Sequence, residues 1–125
     1  MALENVRIIE EEGLATRAAG PVGDYFAARL ASLADHPLVG EVRTLGLIAS
    51  VELCADKERH VLFEPEGRVG LICRDACVRN GLVMRAIRDG MVLAPPLVIT
   101  ESQIDEIVAK ARASLDETAR AIGRA

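Results

Sequence analysis

The fold is decided by residues 81–100, GLVMRAIRDGMVLAPPLVIT, which read as two short strands joined by a tight turn. Residues 82–87 and 91–94 are the apolar runs, and Arg88-Asp89-Gly90 separates them with an Asp-Gly turn signal. Arg85 lies inside the first run. A guanidinium keeps its charge and is costly to bury without a partner, so Arg85 requires either solvent or an anion.

Helical periodicity marks the segments on either side of this stretch. Residues 1–34 begin with an apolar stripe that is interrupted at Gly13. It resumes after Gly20-Pro21, because a proline removes a backbone donor and ends or restarts a helix. Thr100 and Gln103 have the spacing of a capping box and predict the start of a final helix. The apolar residues at helical spacing are Leu3, Val6 and Ile9 in the first helix, and Val22, Phe26, Leu30 and Leu33 on one face of the second.

The middle of the chain reads as strands with one helix. Residues 39–44 and 47–54 have strand patterns on either side of a turn or bulge at Gly46, and residues 68–80 are helical. The polar segment 55–67 is predicted to be a loop. This order of elements predicts an α+β fold, in which helices cover a small, mainly antiparallel sheet. The single domain of residues 1–125 divides into helices over 1–34, strands with one helix over 38–99, and a terminal helix over 100–123.

The composition argues against several classes of function. The chain has three aromatic side chains and a net charge of -4, so it lacks the stacking platforms and the basic excess that nucleic-acid binding needs. No apolar run reaches the roughly 20 residues of a membrane span, and the N-terminus has no signal-peptide pattern. The three cysteines are an odd number, poorly suited to a disulfide framework, so we expect a reduced, cytoplasmic protein.

Sequence motifs for catalysis are missing. There is no Gly-x-Gly-x-x-Gly run or P-loop to hold a nucleotide phosphate, and no Gly-x-Ser-x-Gly elbow. Lys57 lies in a charged loop and Lys110 on the final helix, and neither is the desolvated pocket that a Schiff-base lysine needs. Cys73 and Cys77 are interpreted as small core residues, because a lone cysteine pair is a weak zinc signal. We predict no catalytic, cofactor-binding or metal-ligating residue in this chain.

Arg85 is the one polar residue whose position suggests a specific role, and two interpretations are open. The first is a structural ion pair with an acid on a neighbouring strand or turn, such as Asp89 or Glu52. The second is binding of a small carboxylate, because the two parallel N–H donors of arginine match both carboxylate oxygens. A flexible side chain could also swing away when an apolar substrate occupies the pocket.

Three stretches of the sequence resemble class III aminotransferases, the pyridoxal-phosphate-dependent ω-transaminase type. GLVMRAIRDGMVLAPPLVITESQIDEIV resembles the C-terminal end of these enzymes, with its arginine, turn aspartate, Pro-Pro-Leu and capped final helix. VGEVRTLGLIASVELCADK resembles their Val-Arg-x-x-Gly-Leu strand segment, and ALENVRIIEEEGL resembles the helix that links the large domain to the small one. The resemblance covers essentially the whole chain.

The resemblance implies the C-terminal small domain of a fold-type I pyridoxal phosphate enzyme, with residues 1–34 as linking helices. Such enzymes transfer an amino group between an amine or amino acid and a 2-oxo acid, and their active sites lie at a homodimer interface. The residue matching Arg85 is a mobile arginine that pairs with the substrate carboxylate. Arg88 departs from the family, which commonly has glycine there.

A second departure concerns length. Family members are several times longer, and their large domain holds the catalytic lysine and most contacts to pyridoxal phosphate. The resemblance therefore implies that this chain alone binds no cofactor and is inactive. The alternative is a stand-alone α+β module that binds a small anion or pairs with another chain as an oligomerisation unit.

Overall fold

A computed structural model describes residues 1–124 and shows helices packed on one face of a four-stranded sheet. The first helices are α1 (Ala2–Glu11), α2 (Leu14–Ala19) and α3 (Pro21–Ala31), and a 3-10 turn follows at Ser32–Asp35. The remaining elements are β1 (Val39–Leu45), β2 (Ile48–Leu53), α4 (Arg68–Arg79), β3 (Arg85–Ile87), β4 (Gly90–Leu93) and α5 (Glu101–Ala121).

The sheet has the order β1-β2-β4-β3, and every neighbouring pair is antiparallel. Two hairpins build it, β1–β2 and β3–β4, and α4 lies between them in sequence. The second hairpin places β4 beside β2, so β3 is an edge strand. This arrangement confirms the predicted α+β fold with an antiparallel sheet.

One face of the sheet is buried and the other is not. Alternate residues of β2 and β4 point into the core against α3, α4 and α5, as the period of a strand requires. The core side chains from the sheet include Ala49, Val51, Leu53, Met91 and Leu93. We call the opposite side the open face. Its strand residues, which follow from the pairing register, are Glu41, Arg43, Leu45, Ile48, Ser50, Glu52, Arg85, Ile87 and Val92.

Local sequence explains where the helices begin and end. The predicted capping box of α5 is present. The Thr100 side chain accepts from the backbone N–H of Gln103, and the Gln103 side chain accepts from the backbone N–H of Thr100. Helix α3 begins at Pro21, a favoured first position for proline. Gly13 has a φ of 60°, which separates α1 from α2.

The prediction for β3 was too long. Residues 82–84 are not part of the strand, which begins only at Arg85. The partner strand β4 ends at Leu93, just before Pro95-Pro96, and prolines have no N–H to continue a ladder. Leu82 and Met84 are instead buried in the core as irregular chain.

The turn of the second hairpin also differs from the prediction. Its two central residues are Arg88 and Asp89, and Gly90 is already the first residue of β4. Arg88 has a φ of 55°, so it adopts the positive φ that glycine usually supplies in such a turn.

None of the helices within residues 1–124 combines the length and the apolar character needed to cross a membrane.

Candidate functional site

Arg85 opens the edge strand β3 and belongs to the open face. The register pairs Arg85 with Val92, Val92 with Ser50, and Ser50 with Arg43, so these four residues form one row across the sheet. The Arg85 side chain is exposed and makes no hydrogen bond or ion pair with any other residue in 1–124. Its guanidinium is thus available to an anion from outside the described chain.

Glu52, one acid considered as a structural partner of Arg85, is paired elsewhere. Its Oε2 accepts from Nη2 of Arg43 at 3.1 Å, on the far side of β2 from Arg85. The carboxylate lies over Gly90, because a Cβ placed on that glycine would be 3.2 Å from Oε2. Glu52 therefore neutralises Arg43 and leaves Arg85 without a partner.

Asp89, the other acid considered, faces away from the open face into the molecule. It is 5% exposed, and its Oδ1 accepts from the backbone N–H of Gly70 at 2.7 Å. Its Oδ2 accepts from the backbone N–H of Gly67 at 2.9 Å. These N–H groups belong to the N-cap residue and the first turn of α4, so Asp89 caps that helix from a distant part of the chain.

Arg88 is held at the same junction and does not join Arg85. Its Nη1 lies 3.2 Å from Oε1 of Glu66, in the loop that precedes α4. The glycine expected at this position is thus replaced by a residue whose side chain ties the turn to the loop. The positive charge of Arg88 is therefore paired with Glu66.

Exposed apolar side chains flank the row that contains Arg85. Leu45 and Ile48, which pair at the tip of the first hairpin, are 82% and 59% exposed. Ile87 is 52% exposed on β3, and Val83 is 83% exposed just before it. An arginine amid a patch of this kind is typical of a surface that another protein segment covers.

Arg17 was not singled out by the sequence analysis, yet it fixes the segment that follows β4. Its two terminal nitrogens donate to the backbone carbonyls of Leu97 and Ile99, in a partly buried position. A signal existed in the sequence: Arg17 has no acid three or four residues away on its short helix. It anchors the chain after Pro95-Pro96 to α2.

Both lysines of the chain are engaged at the surface. Nζ of Lys57 donates to the carbonyl of Ala34 at 2.6 Å, and Nζ of Lys110 lies 2.6 Å from Oε1 of Glu106. Each Nζ lies at the surface with an oxygen partner, and neither is the desolvated amine that covalent attachment of an aldehyde cofactor requires.

His36, Cys73 and Cys77 all have structural roles in the fold. His36 is buried; its Nδ1 accepts from the backbone N–H of Leu38 at 3.1 Å, and its Nε2 lies 3.2 Å from Oδ1 of Asp116. Cys73 and Cys77 are buried free thiols on α4. The hydrogen bond to Cys77, together with burial, raises the pKa of Cys73 above its ordinary value. The Cys73 thiol therefore stays protonated and is unreactive.

Comparison with known proteins yields one family. The family model for "Aminotransferase class-III" matches residues 1–115. The chain is 48% identical over 122 residues to the putrescine–pyruvate aminotransferase of Pseudomonas aeruginosa, covering 98% of this chain and 26% of that protein. It is 38% identical to the diaminobutyrate–2-oxoglutarate transaminase of Halomonas elongata, again over 98% of this chain and 26% of the relative.

Solved structures agree with the sequence relatives. A transaminase structure with L-alanine superposes with a TM-score of 0.91 at 41% identity, over 98% of this chain and 28% of that one. The omega transaminase of Pseudomonas jessenii, solved in complex with PMP, gives 0.91 at 37% identity, over 98% and 27%. The chain therefore spans about a quarter of the length of the relatives that it matches.

Proposed function

Because this chain belongs to the class III aminotransferase family, we propose that it is the C-terminal small domain of a pyridoxal-phosphate-dependent aminotransferase. The complete enzyme transfers an amino group between an amine or amino acid and a 2-oxo acid. The role of this domain is to cover the active site and to present Arg85 to the carboxylate of the substrate. The complete enzyme is a cytoplasmic homodimer.

The observation that carries this proposal is the placement of Arg85. Its side chain is exposed, has no partner among residues 1–124, and is flanked by exposed apolar residues on the open face. Once another domain covers this face, the guanidinium is partly desolvated, and a bidentate carboxylate becomes the partner that best matches its geometry. With a carboxylate-free amine, the unpaired side chain is free to turn away from the pocket.

The residues of this chain do not themselves form a pyridoxal phosphate site. Lys57 and Lys110 are the only lysines, and both lie at the surface with oxygen partners. The rest of the enzyme, about three quarters of the length of the relatives, therefore has to supply the cofactor lysine. We infer that the 125-residue chain alone is inactive and leaves the absorbance spectrum of added pyridoxal phosphate unchanged.

The missing large domain is the partner that suits the exposed apolar residues. Leu45 and Ile48 at the hairpin tip adjoin a groove that Ala15, Ala18 and Leu97 line. Helix α1 has no buried residue, although Val6 and Leu3 form an apolar stripe along it. Burial of this surface against the large domain would remove these exposed apolar side chains from water.

The test is substitution of Arg85 by Ala in the complete enzyme. We expect a loss of about 2–4 kcal/mol in transition-state binding for a carboxylate-bearing donor such as L-alanine, because one side of a desolvated charge pair is removed. The first half-reaction, followed by cofactor absorbance, isolates the donor from the acceptor. The matched control is Arg43→Ala, which removes a cation of the same row that already has its own acid.

In Arg85→Ala, transition-state binding of a carboxylate-free donor such as n-butylamine should weaken much less than that of L-alanine. Equal losses with both donors would assign Arg85 a structural role and reject the proposal. Binding of a small carboxylate by the isolated chain, with no effect of Arg85→Ala in the complete enzyme, would instead favour the stand-alone anion-binding module.

A further inference from the structure

The carboxylate of Asp89 joins two parts of the molecule that are distant in sequence. It lies in the turn of the β3–β4 hairpin and accepts from the N–H groups of Gly67 and Gly70, at 2.9 Å and 2.7 Å. The N-cap residue of α4 is Gly67, which has no side chain to accept from the N–H of Gly70. Asp89 thus supplies from the hairpin the cap that α4 lacks, with a negative charge at the positive end of the helix.

The backbone around Asp89 strengthens the same junction. The carbonyl of Asp89 accepts from the N–H of Leu53 at 2.9 Å, which ties the turn to the end of β2. Gly70 lies so close to the turn that a Cβ on it would be 2.0 Å from the carbonyl oxygen of Arg88. Helix α4, β2 and the hairpin turn are therefore fixed to one another through this aspartate.

The junction determines where Arg85 lies. Strand β3 has three residues and a single neighbouring strand, so its ladder alone holds it weakly in place. Only Ala86 and Ile87 separate Arg85 from the turn residues Arg88 and Asp89. A displacement of the turn relative to α4 would be passed directly to the backbone of Arg85.

We propose that Asp89 is a positioning residue for Arg85, which acts by holding the hairpin turn against the first turn of α4. This inference rests on the proposed function, in which Arg85 contacts the substrate carboxylate. A bidentate contact is sensitive to small errors in the position of the guanidinium, because both N–H donors must meet both oxygens. Asp89 therefore contributes to the preference for carboxylate-bearing substrates without touching the substrate.

The experiment is Asp89→Asn in the complete enzyme. Asn has the shape of Asp, but its amide nitrogen cannot accept from a backbone N–H, so one of the two capping bonds is lost. The quantity measured is the ratio of kcat/KM for L-alanine to kcat/KM for n-butylamine in the first half-reaction. We expect this ratio to fall about tenfold, as for other small misplacements of a substrate-binding group.

Two comparisons separate positioning from a general loss of stability. Thr100→Ala removes the N-cap of α5, an interaction of the same type outside the hairpin, and should leave the ratio unchanged. In an Arg85→Ala background, Asp89→Asn should leave the ratio unchanged as well, because no guanidinium is left to position. Should Asp89→Asn fail to fold, Asp89→Glu replaces it, since it keeps a charged acceptor for the cap while its extra methylene displaces the turn from α4.

The outcomes distinguish this inference from the proposed function. If Arg85→Ala changes the ratio but the Asp89 variant does not, positioning by Asp89 is overturned and the role of Arg85 stands. If the Asp89 variant changes the ratio equally with and without Arg85, its effect does not pass through Arg85 and the inference is again overturned. If Arg85→Ala leaves the ratio unchanged, the proposed function fails, and the inference fails with it.

Discussion

The Cα of Gly70 packs against the backbone of Arg88 so closely that no side chain fits between them. A Cβ on Gly70 would lie 2.0 Å from the Arg88 carbonyl oxygen and 3.0 Å from Cα of Asp89. Glycine is unfavourable inside a helix by about 1 kcal/mol relative to alanine, so its presence in α4 needs a reason. That reason is the approach of the hairpin turn to the helix.

Substitution of Gly70 by Ala is expected to destabilise the fold despite the better helix propensity of alanine. The gain of about 1 kcal/mol is outweighed, because the clash is with backbone atoms and forces the turn away from α4. We expect a net loss of about 2 kcal/mol in the free energy of unfolding, measured by urea denaturation. Arg74→Ala, at an exposed position of the same helix, is the control and should change stability by less than about 0.5 kcal/mol.

The positive φ of Arg88 leads to a second prediction. At a φ of 55°, glycine is unstrained, an arginine is mildly strained, and a β-branched residue is strongly strained. Arg88→Gly removes this strain and an exposed ion pair with Glu66, so stability should stay within about 1 kcal/mol of the parent. Arg88→Val should lose more than about 1 kcal/mol. Equal denaturation midpoints for the Gly and Val variants would contradict the strain at this turn.

Titration of Glu117 tests the contact between α4 and α5. Nε of Arg79 donates to Oε1 of Glu117 at 2.8 Å, and this hydrogen bond lowers the pKa of Glu117 below its ordinary value of 4.5. Because the folded-state pKa is depressed, the contact stabilises the fold above pH 4.5 and is lost as the pH falls through the folded pKa. Side-chain NMR should give a midpoint below 4.5, which returns towards 4.5 in Arg79→Ala. Arg74→Ala should leave the midpoint unchanged.

The sequence predicted the parts of the fold that depend on local pattern. The capping box at Thr100, the break at Gly13 and the helix that ends near Asn80 are properties of a few neighbouring residues, and each was found. The length of β3 was predicted wrongly, because it depends on where the partner strand ends. Strand length is a tertiary property, and the pattern of residues 82–84 alone does not contain it.

The candidate site was only partly readable from the sequence. Arg85 was recognised because a charge inside an apolar run is conspicuous, and its role in substrate binding stays a prediction. Asp89 was read as a turn residue or an ion-pair partner, whereas its carboxylate caps a helix that begins 21 residues earlier, at Arg68. Such a contact has no sequence signature, since a remote cap obeys no fixed spacing. Arg17 was missed because its acceptors are carbonyls about 80 residues away, and the sequence shows only that it has no acid three or four residues from it on its own helix.

Arg17 provides the last prediction, on the segment that follows β4. Its guanidinium bridges the carbonyls of Leu97 and Ile99, and hydrogen bonds from a charged donor contribute about 1.5–3 kcal/mol when partly buried. Arg17→Ala should therefore lower the free energy of unfolding by about 1.5–3 kcal/mol. Arg17→Lys keeps the charge but not the two parallel donors of the guanidinium, so it should recover part of the lost stability.

A local readout distinguishes this anchor from a general effect on stability. The amide of Ile99 donates to the carbonyl of Pro96 at 3.0 Å. In Arg17→Ala, hydrogen exchange at this amide should be faster than the loss of global stability alone explains. Arg7→Ala is the matched control, because Arg7 pairs only with exposed glutamates of its own helix and should change stability by less than about 0.5 kcal/mol. If Arg7→Ala and Arg17→Ala had equal effects on Ile99 exchange, Arg17 would not be the residue that holds this segment to α2.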